Sequence, residues 1–401
     1  MSSSLRPDRA RYSLQVHDAI GGVARAEWNA LLDEAASPFV EWDWLEALER
    51  SGCVGAGTGW RPRHLTLRRE GRLVAAAPAY ACDGSDGDFS RDWGWAEGAM
   101  RAGLRYYPKL QPTVPFTPAT GRRLLVAAGE ERAACVGALI AGAADLARKE
   151  RYSSVHVLFT VDEDLPALEA EGLVRRVSFQ YHWKNAGYAT PDDFLARFDS
   201  KKRNQLKRER SMPGKQGISI RTVRGEEIAA APLAWAAEAH TLHRSTIDKL
   251  AWGRGWLNLR FYEEVMTRMP HAMELVVAER EGRLVAGAFN VASATHLYGR
   301  YWGCHEEHPF LHFNVCLYHS VDECIRRGLL FFEGGAGGEH KLSRGFEPSE
   351  TFSAHLFLDA RLDEAVRHHL ERENRALQGS LARWRDNAPV LKKLPDQPMM
   401  R

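Results

Sequence analysis

The run FFEGGAGGEHKLSRGFEP, Phe331 to Pro348, holds the densest set of reactive residue types in the chain. An apolar, strand-like start (Leu329 to Phe332) ends on Glu333. Glycine then occupies positions 334, 335, 337 and 338, and Glu339, His340, Lys341 and Arg344 follow. Glycine lets a backbone approach a ligand closely and adopt positive φ. A lysine held beside such a loop can stabilise a developing oxyanion. A nearby carboxylate or imidazole can take up the proton that a reacting amine must lose. The residues alone leave alternatives open. Lys341 and Arg344 read equally as surface charges paired with Glu339 and Glu347. Glu333 reads as a general base or as a partner of Arg344, and His340 as a base or as a donor that orients another group.

Three further stretches carry chemistry. His305, His308 and His312 have i, i+3, i+7 spacing, which would suit Zn²⁺ on a continuous helix. Pro309 interrupts that helix, and Phe310 and Phe313 suggest packing, so no metal is expected. Lys201, Lys202, Arg203, Lys207, Arg208 and Arg210 make a cationic helix face. That face is either solvated and paired with Asp192 and Asp193, or it contacts a phosphate backbone. The stretch Asp92 to Lys109 brings Trp93, Trp95, Tyr106, Tyr107 and Lys109 together. It is expected at a cleft between domains, facing Arg300 and Trp302; the alternative is a proline-rich loop pinned by tryptophans.

The elements that position these residues follow from pattern. Trp28 to Leu48 reads as helical with a break near Pro38. Arg63 to Tyr80 alternates around Glu70-Gly71 as a β-hairpin. Residues 83–121 read as irregular, Ala133 to Lys149 as a helix and Ser154 to Thr160 as a buried strand. The second half repeats the order: helix over Ala229 to Met269 with a WGRGWL interruption, hairpin over Glu274 to Ala292, strand over Thr295 to Cys304, helix over Phe313 to Arg327 closed by Gly328, and strand over Leu329 to Glu333. REGRLVAAAPAY and REGRLVAGAFNV lie about two hundred residues apart and suggest a tandem duplication. Ala365 to Trp384 reads as an amphipathic docking helix with Val366, Leu370, Leu377, Leu381 and Trp384 on one face.

Length and composition set the frame. The chain has 401 residues, 44% apolar and 26% charged, with a net charge of +2. Two domains are expected at that length. The charge balance excludes a general polyanion binder but not a local basic patch. Six scattered cysteines without a CxxC pair read as reduced thiols. MSSSLRPDRARYSL has no apolar secretory core, and no apolar run approaches the roughly eighteen residues of a membrane span. A cytoplasmic location is therefore expected. The domain ranges are a flexible tail over 1–12, an N-terminal domain over 13–185, a C-terminal domain over 186–385 bearing the site, and a tail over 386–401.

Helices, a central hairpin, then strand–helix–strand is an α/β order on a mixed sheet, and it suits the GNAT N-acyltransferase fold present twice. Acyl-CoA-dependent members of that fold carry an R/Q-x-x-G-x-G/A loop, which holds pyrophosphate at a helix N-terminus. Here THLYGRYWGC leads into HEEHPFLHF, with Glu306 and Glu307 at the helix entrance and no glycine after Gly303. FTPATGRRLL in the first half has one glycine. Neither half carries the loop.

SPFVEWDWLEALE (37–49), DWGWAEGAMRAGLRYYPKLQPTVPFTPATGRRLL (92–125), SKKRNQLKRER (200–210), LYGRYWGCHEEHPFLHF (297–313) and EGGAGGEHKLSRGFEP (333–348) resemble the FemAB-like family. More narrowly, they resemble its peptidoglycan biosynthesis/recognition branch. The resemblance implies a tandem GNAT fold and transfer of an amino acid from aminoacyl-tRNA to an acceptor amine on a peptide, cell-wall precursor or small metabolite. Aminoacyl-tRNA would be a co-substrate, with no bound cofactor. An acetyl-CoA- or acyl-CoA-dependent transferase, or a non-catalytic binder of peptide or cell-wall precursor, are the alternatives. The family's lysine before a Gly-Phe turn matches Lys341, followed by Gly345 and Phe346. The resemblance thus implies Lys341 as catalytic, and the residues' own chemistry offers Glu333 or His340 to handle the proton. Arg300, Trp302, Glu339, Arg344, Trp93, Trp95, Tyr106, Tyr107, Lys109 and Asn314 would bind substrate, and Lys201, Lys202, Arg203, Lys207 and Arg208 would contact tRNA. Two positions depart from the branch: Asn314 stands where it carries Glu, and Gly337 where it carries Gln.

Overall fold

A computed structural model describes residues 11–249, 254–387 and 390–392. The two expected tails, and Trp252 of the WGRGWL interruption, lie mostly or wholly outside these residues. The chain divides into two compact units. The first runs to Ser178 and takes back Thr351–Ala376; the second comprises Phe179–Glu350 and the chain from Leu377 onward. The expected ranges were contiguous, whereas these units interleave along the sequence.

In the first unit, strands Ser13–His17, His64–Arg69, Arg72–Ala77 and Leu125–Val126 form one sheet in that order. Strands Ser154–Thr160, Lys109–Pro112, Ala79–Cys82 and Trp60–Pro62 are neighbours in another. The helix Arg132–Lys149 buries Cys135, Leu139 and Ala143 against Leu65, Val74 and Val155. Its first turn is capped by the Glu131 carboxylate, which accepts from Ala133 N and Ala134 N. The stretch 83–121, expected to be irregular, contains the helix Trp93–Arg101 and the strand Lys109–Pro112.

The second unit is built on a mixed sheet ordered Ile218–Arg224, Met273–Arg280, Arg283–Ala292, His296–Cys304, Phe331–Glu333 and then the end of Val174–Lys184. Every neighbouring pair is antiparallel except His296–Cys304 with Phe331–Glu333. Pro232–Ile247 and Leu259–Arg268 are helical, as expected for 229–269. The segment Leu311–Arg327 is helical throughout, but its middle, Asn314–Tyr318, is wound as a π-helix. It ends at Gly328 with φ +67°. Val315 and Leu311 pack on Ala286 and Ala288 of the sheet.

The two Glu-Gly turns repeat in geometry as well as in sequence. Glu70 and Gly71 have φ 53° and 80°, Glu281 and Gly282 have φ 52° and 73°. Positive φ at both central residues is the turn that matches strand twist in a two-residue hairpin. Arg69 pairs with Arg72, and Arg280 with Arg283.

Gly303 fixes how closely a helix lies on the second unit's sheet. A Cβ there would sit 1.8 Å from the Leu242 carbonyl oxygen. Only glycine lets the helix Pro232–Ile247 approach the strand His296–Cys304 so closely.

Candidate active site

The site opens where two parallel strands part. His296, Leu297 and Tyr298 pair with Phe331, Phe332 and Glu333, and the pairing stops there. Beyond that point one strand runs on as Gly299 to Cys304, while the other becomes the glycine loop 334–338. On its other edge the continuing strand carries a bulge. Phe289 pairs with Tyr301 and Asn290 with Gly299, so Arg300 is the extra residue. A bulge re-aims a side chain out of strict alternation.

The resulting cavity, about 330 Å³, is lined by Arg300, Trp302, His312, His340, Lys341 and the whole loop Gly334 to Gly338, with Asn290 also in its wall. Arg300, Trp302, His340 and Lys341 are thus brought together as expected. Gly335, Gly337 and Gly338 have φ of +81°, +76° and +88°, a region that residues with a Cβ rarely adopt.

Lys341 sits in the 3₁₀ turn Glu339–Arg344 and is 5% exposed. Its Nζ donates to Gly335 O at 2.7 Å and Gly337 O at 2.6 Å. An ammonium has three donors, so one remains for a ligand. Among the described residues no acid lies within ion-pair distance of it. Burial pulls its pKa down to about 8, because desolvation disfavours the charged form. Lys341 is therefore not a surface charge paired with Glu339 or Glu347. Burial, followed by the charges of His340, Lys341 and Arg344, lowers His312 to about 4. Burial and the Lys341 and Arg344 charges also lower His340. Both imidazoles are neutral near pH 7, and either can accept a proton.

The other expected residues fall elsewhere. Glu333 is 5% exposed, with His182 Nε2 3.9 Å from Oε2, and it is not in the cavity lining. Nor does Glu333 pair with Arg344. Arg344 Nη2 meets Glu209 Oε2 at 3.0 Å, its Nε donates to Tyr318 Oη at 2.8 Å, and its Nη1 donates to His340 O at 2.9 Å. Its guanidinium lies 3.5 Å from the Phe313 ring centroid. Arg344 thus holds the turn that carries Lys341 and does not reach the cavity. Sequence reading missed this cluster because Glu209 lies 135 positions away. Asn314 is buried and donates to Glu209 O and Phe310 O, both at 2.9 Å. Glu339 is exposed and outside the lining.

The histidine triplet separates. His305 lies 3.6 Å from Glu238, His308 3.1 Å from Glu306, and His312 packs edge-on to Trp302 with ring centroids 5.0 Å apart.

The basic run lies on the helix Ser200–Lys215, capped by Asp199. Leu206 and Glu209 face inward; Lys201, Lys207 and Arg208 are exposed, while Lys202 and Arg203 are half-buried. Lys207 pairs with Asp192 at 3.2 Å and Arg210 with Asp322 at 2.7 Å. The pairing with Asp192 was the bland alternative for this face, and it accounts for Lys207 alone among the five candidate contacts.

The aromatic stretch is engaged inside the first unit. Lys109 is fully buried and donates to Asp88 at 2.8 Å, Asp92 at 2.5 Å and Ser85 at 2.8 Å. Burial disfavours its charge, but Asp88 and Asp92 more than offset that and hold it above the usual lysine range. Tyr106 donates to Asp92 at 2.7 Å, and Tyr107 shares a hydrogen bond with Ser85 at 2.8 Å. Trp95 packs edge-on to His355, with centroids 4.9 Å apart, while Trp93 is exposed. Lys109 and Tyr106 therefore belong to a buried polar cluster and not, as expected, to a substrate surface, and the half-buried Tyr107 joins that cluster through Ser85.

Residues 19–392 match the FemAB-like family, described as peptidoglycan biosynthesis/recognition. The chain belongs to that family. The crystal structure of FemX is similar over 88% of this chain and 100% of its own, with 12% identity and a TM-score of 0.52. L-PGS from Bacillus licheniformis covers 85% of this chain and 99% of its own at 11% identity and TM-score 0.49. A tandem GNAT protein from the clavulanic acid biosynthesis pathway covers 86% and 98% at 16% identity and TM-score 0.45. No curated protein matches the chain. The likeness to FemX shows the fold, the mixed α/β tandem GNAT type read from the sequence. Membership of the family connects the chain with peptidoglycan biosynthesis or recognition. No helix among the described residues is long and apolar enough to cross a membrane.

Proposed function

We propose that the protein transfers an aminoacyl group from aminoacyl-tRNA to the amine of a peptide or cell-wall precursor, in the cavity beside Lys341. One observation carries the reading. A buried lysine cation, with no acid beside it among the described residues and one free donor, faces a cavity walled by a glycine loop. Such a cation is poised for the oxygen that turns negative when an amine attacks a carbonyl. The acceptor nitrogen forms a bond to the ester carbonyl carbon, and the ester C–O bond breaks. The proton leaving the nitrogen passes to a neutral imidazole, and the departing tRNA hydroxyl takes one up. His340 suits this task better than Glu333, because it lines the cavity and Glu333 does not. Lys201, Lys202, Arg203 and Arg208 of the basic helix supply a phosphate-binding face.

The test is incubation with mixed charged tRNAs and, separately, with acyl-CoAs, following donor loss by mass spectrometry. Loss of aminoacyl-tRNA alone supports the reading. Loss of acyl-CoA alone replaces it with coenzyme-A chemistry. Binding of a cell-wall peptide without loss of either donor replaces it with a binding module.

A further inference from the structure

The cavity has a sign. Its described lining residues include Lys341 and Arg300 but no Asp or Glu. The only other ionisable side chains of basic type, His312 and His340, are both depressed into the neutral range near pH 7. A substrate ammonium placed there would meet fixed cations and no carboxylate among the described lining residues, a repulsion that grows as water is excluded.

A second observation comes from Asn290, which the sequence did not single out. It faces the same cavity from the strand Arg283–Ala292, two residues after Ala288, so both project from one face of the sheet. Asn290 is 2% exposed, and its buried Nδ2 has no hydrogen-bond partner. A buried amide donor left unpaired costs free energy, and such groups call for a ligand or another explanation. Here it stands opposite Gly299, directly beside the bulge at Arg300. The Asn290 amide and the Arg300 guanidinium in one lining are a donor set for a carboxylate, which leaves the one unused N–H of Lys341 for the oxyanion of the reaction.

We infer that this cavity is a carboxylate subsite, so that the group seated beside Lys341 belongs to a peptide or amino acid bearing a free carboxylate and not a free ammonium. Asn290 is the residue that sets this preference. The inference deepens the transfer reading and rests on it for the reaction served, while the preference itself is an equilibrium property. A volume of about 330 Å³ is at the small end for ligand pockets and suits one amino-acid-sized group. An aminoacyl donor's ammonium then points out of the cavity, or the cavity holds the acceptor's carboxylate.

Calorimetric titration of the full chain tests this with three probes: N-acetylalanine (carboxylate only), N-acetylalaninamide of the same shape (neither charge) and the smaller alaninamide (ammonium only). N-acetylalanine is expected to bind about tenfold or more tightly than either amide, as a charge-assisted contact warrants. Asn290→Asp conserves volume and adds a negative charge, so it should abolish that preference and favour alaninamide. Thermal unfolding of the variant confirms that the fold is kept. Equal binding of the three probes, tighter binding of alaninamide to the natural protein, failure of N-acetylalanine to bind, or an unchanged preference in Asn290→Asp would each overturn the inference. If that happens while donor consumption persists, the transfer reading stands and only the subsite falls. If the carboxylate preference holds but no donor is consumed, the reverse is true.

Discussion

Lys341 donates a 2.7 Å hydrogen bond to the carbonyl oxygen of Gly335, so the cation is held by the very loop whose glycines shape the cavity. A second bond to Gly337 O closes the arrangement. Loop and lysine are one structural unit. The loop's left-handed residues turn their carbonyls onto the ammonium, and the ammonium neutralises dipoles that would otherwise face one another.

This coupling predicts a pH dependence. The Lys341 ammonium, lowered to about 8, is charged below that pH and neutral above it. Transfer should therefore fall as pH rises through about 8. In Lys341→Arg, whose guanidinium stays charged, residual activity should lack that fall. The stability sign is also fixed. The folded-state pKa lies below the ordinary lysine value of 10.5, so the unfolded chain binds more protons between about 8 and 10.5. Stability relative to Lys341→Met should then rise with pH across that window and level off above it. Thermal unfolding of both proteins across pH 7 to 11 checks this.

The turn carrying Lys341 hangs on Arg344 and Glu209. Both side chains are at least nine-tenths buried, and their closest atoms are 3.0 Å apart. Removing one partner leaves the other charge buried alone, which costs about 3 kcal/mol or more. Glu209→Gln should lower denaturant stability by that order. Burial pushes the Glu209 carboxyl up, but hydrogen bonds from Tyr318, Gln205 and Arg344 hold it below its ordinary value. Its contribution is therefore complete above the usual carboxylate pKa and lost as pH falls through the lowered one. The difference between natural protein and Glu209→Gln should shrink on acidification.

In the first unit, Lys109 is the single cation of a cluster holding Asp88 and Asp92, all three fully buried side chains. Lys109→Met should destabilise by roughly 3–5 kcal/mol, because two buried carboxylates lose their counter-ion. Conversion of Lys109 without a stability loss, measured by urea unfolding, would show that the cluster is not internal.

Two glycines separate close approach from backbone conformation. At Gly303 an added Cβ would meet backbone at 1.8 Å, while at Gly337 it would meet nothing within 4 Å and only φ +76° opposes it. Gly337→Ala should cost about 1–2 kcal/mol. Gly303→Ala should cost clearly more, since the helix Pro232–Ile247 must shift. Comparing the two unfolding midpoints tests the distinction.

What could be read from sequence was what repeats or clusters locally. The two Glu-Gly hairpins were visible because alternation and turn chemistry lie within twenty residues. The glycine loop with His340 and Lys341 was visible because its chemistry is contiguous. The long strands Val174–Lys184 and Glu347–Phe357 were not. The first places charged Arg175 and Arg176 early in its run, and the second begins Glu-Pro, which reads as a turn. Asn290 was hidden inside an apolar strand, since its exposure to a cavity depends on a bulge in the neighbouring strand. Arg344 was misread because its partners, Glu209 and Tyr318, are set beside it only by tertiary structure.

The central claim is tested most directly by donor consumption in Lys341→Met beside the natural protein, with charged tRNAs and a peptide amine acceptor, in samples matched for folding by thermal unfolding. The account predicts consumption by the natural protein and a loss of about a hundredfold or more in the variant, the scale of removing one oxyanion donor. Full consumption by a folded Lys341→Met would contradict it.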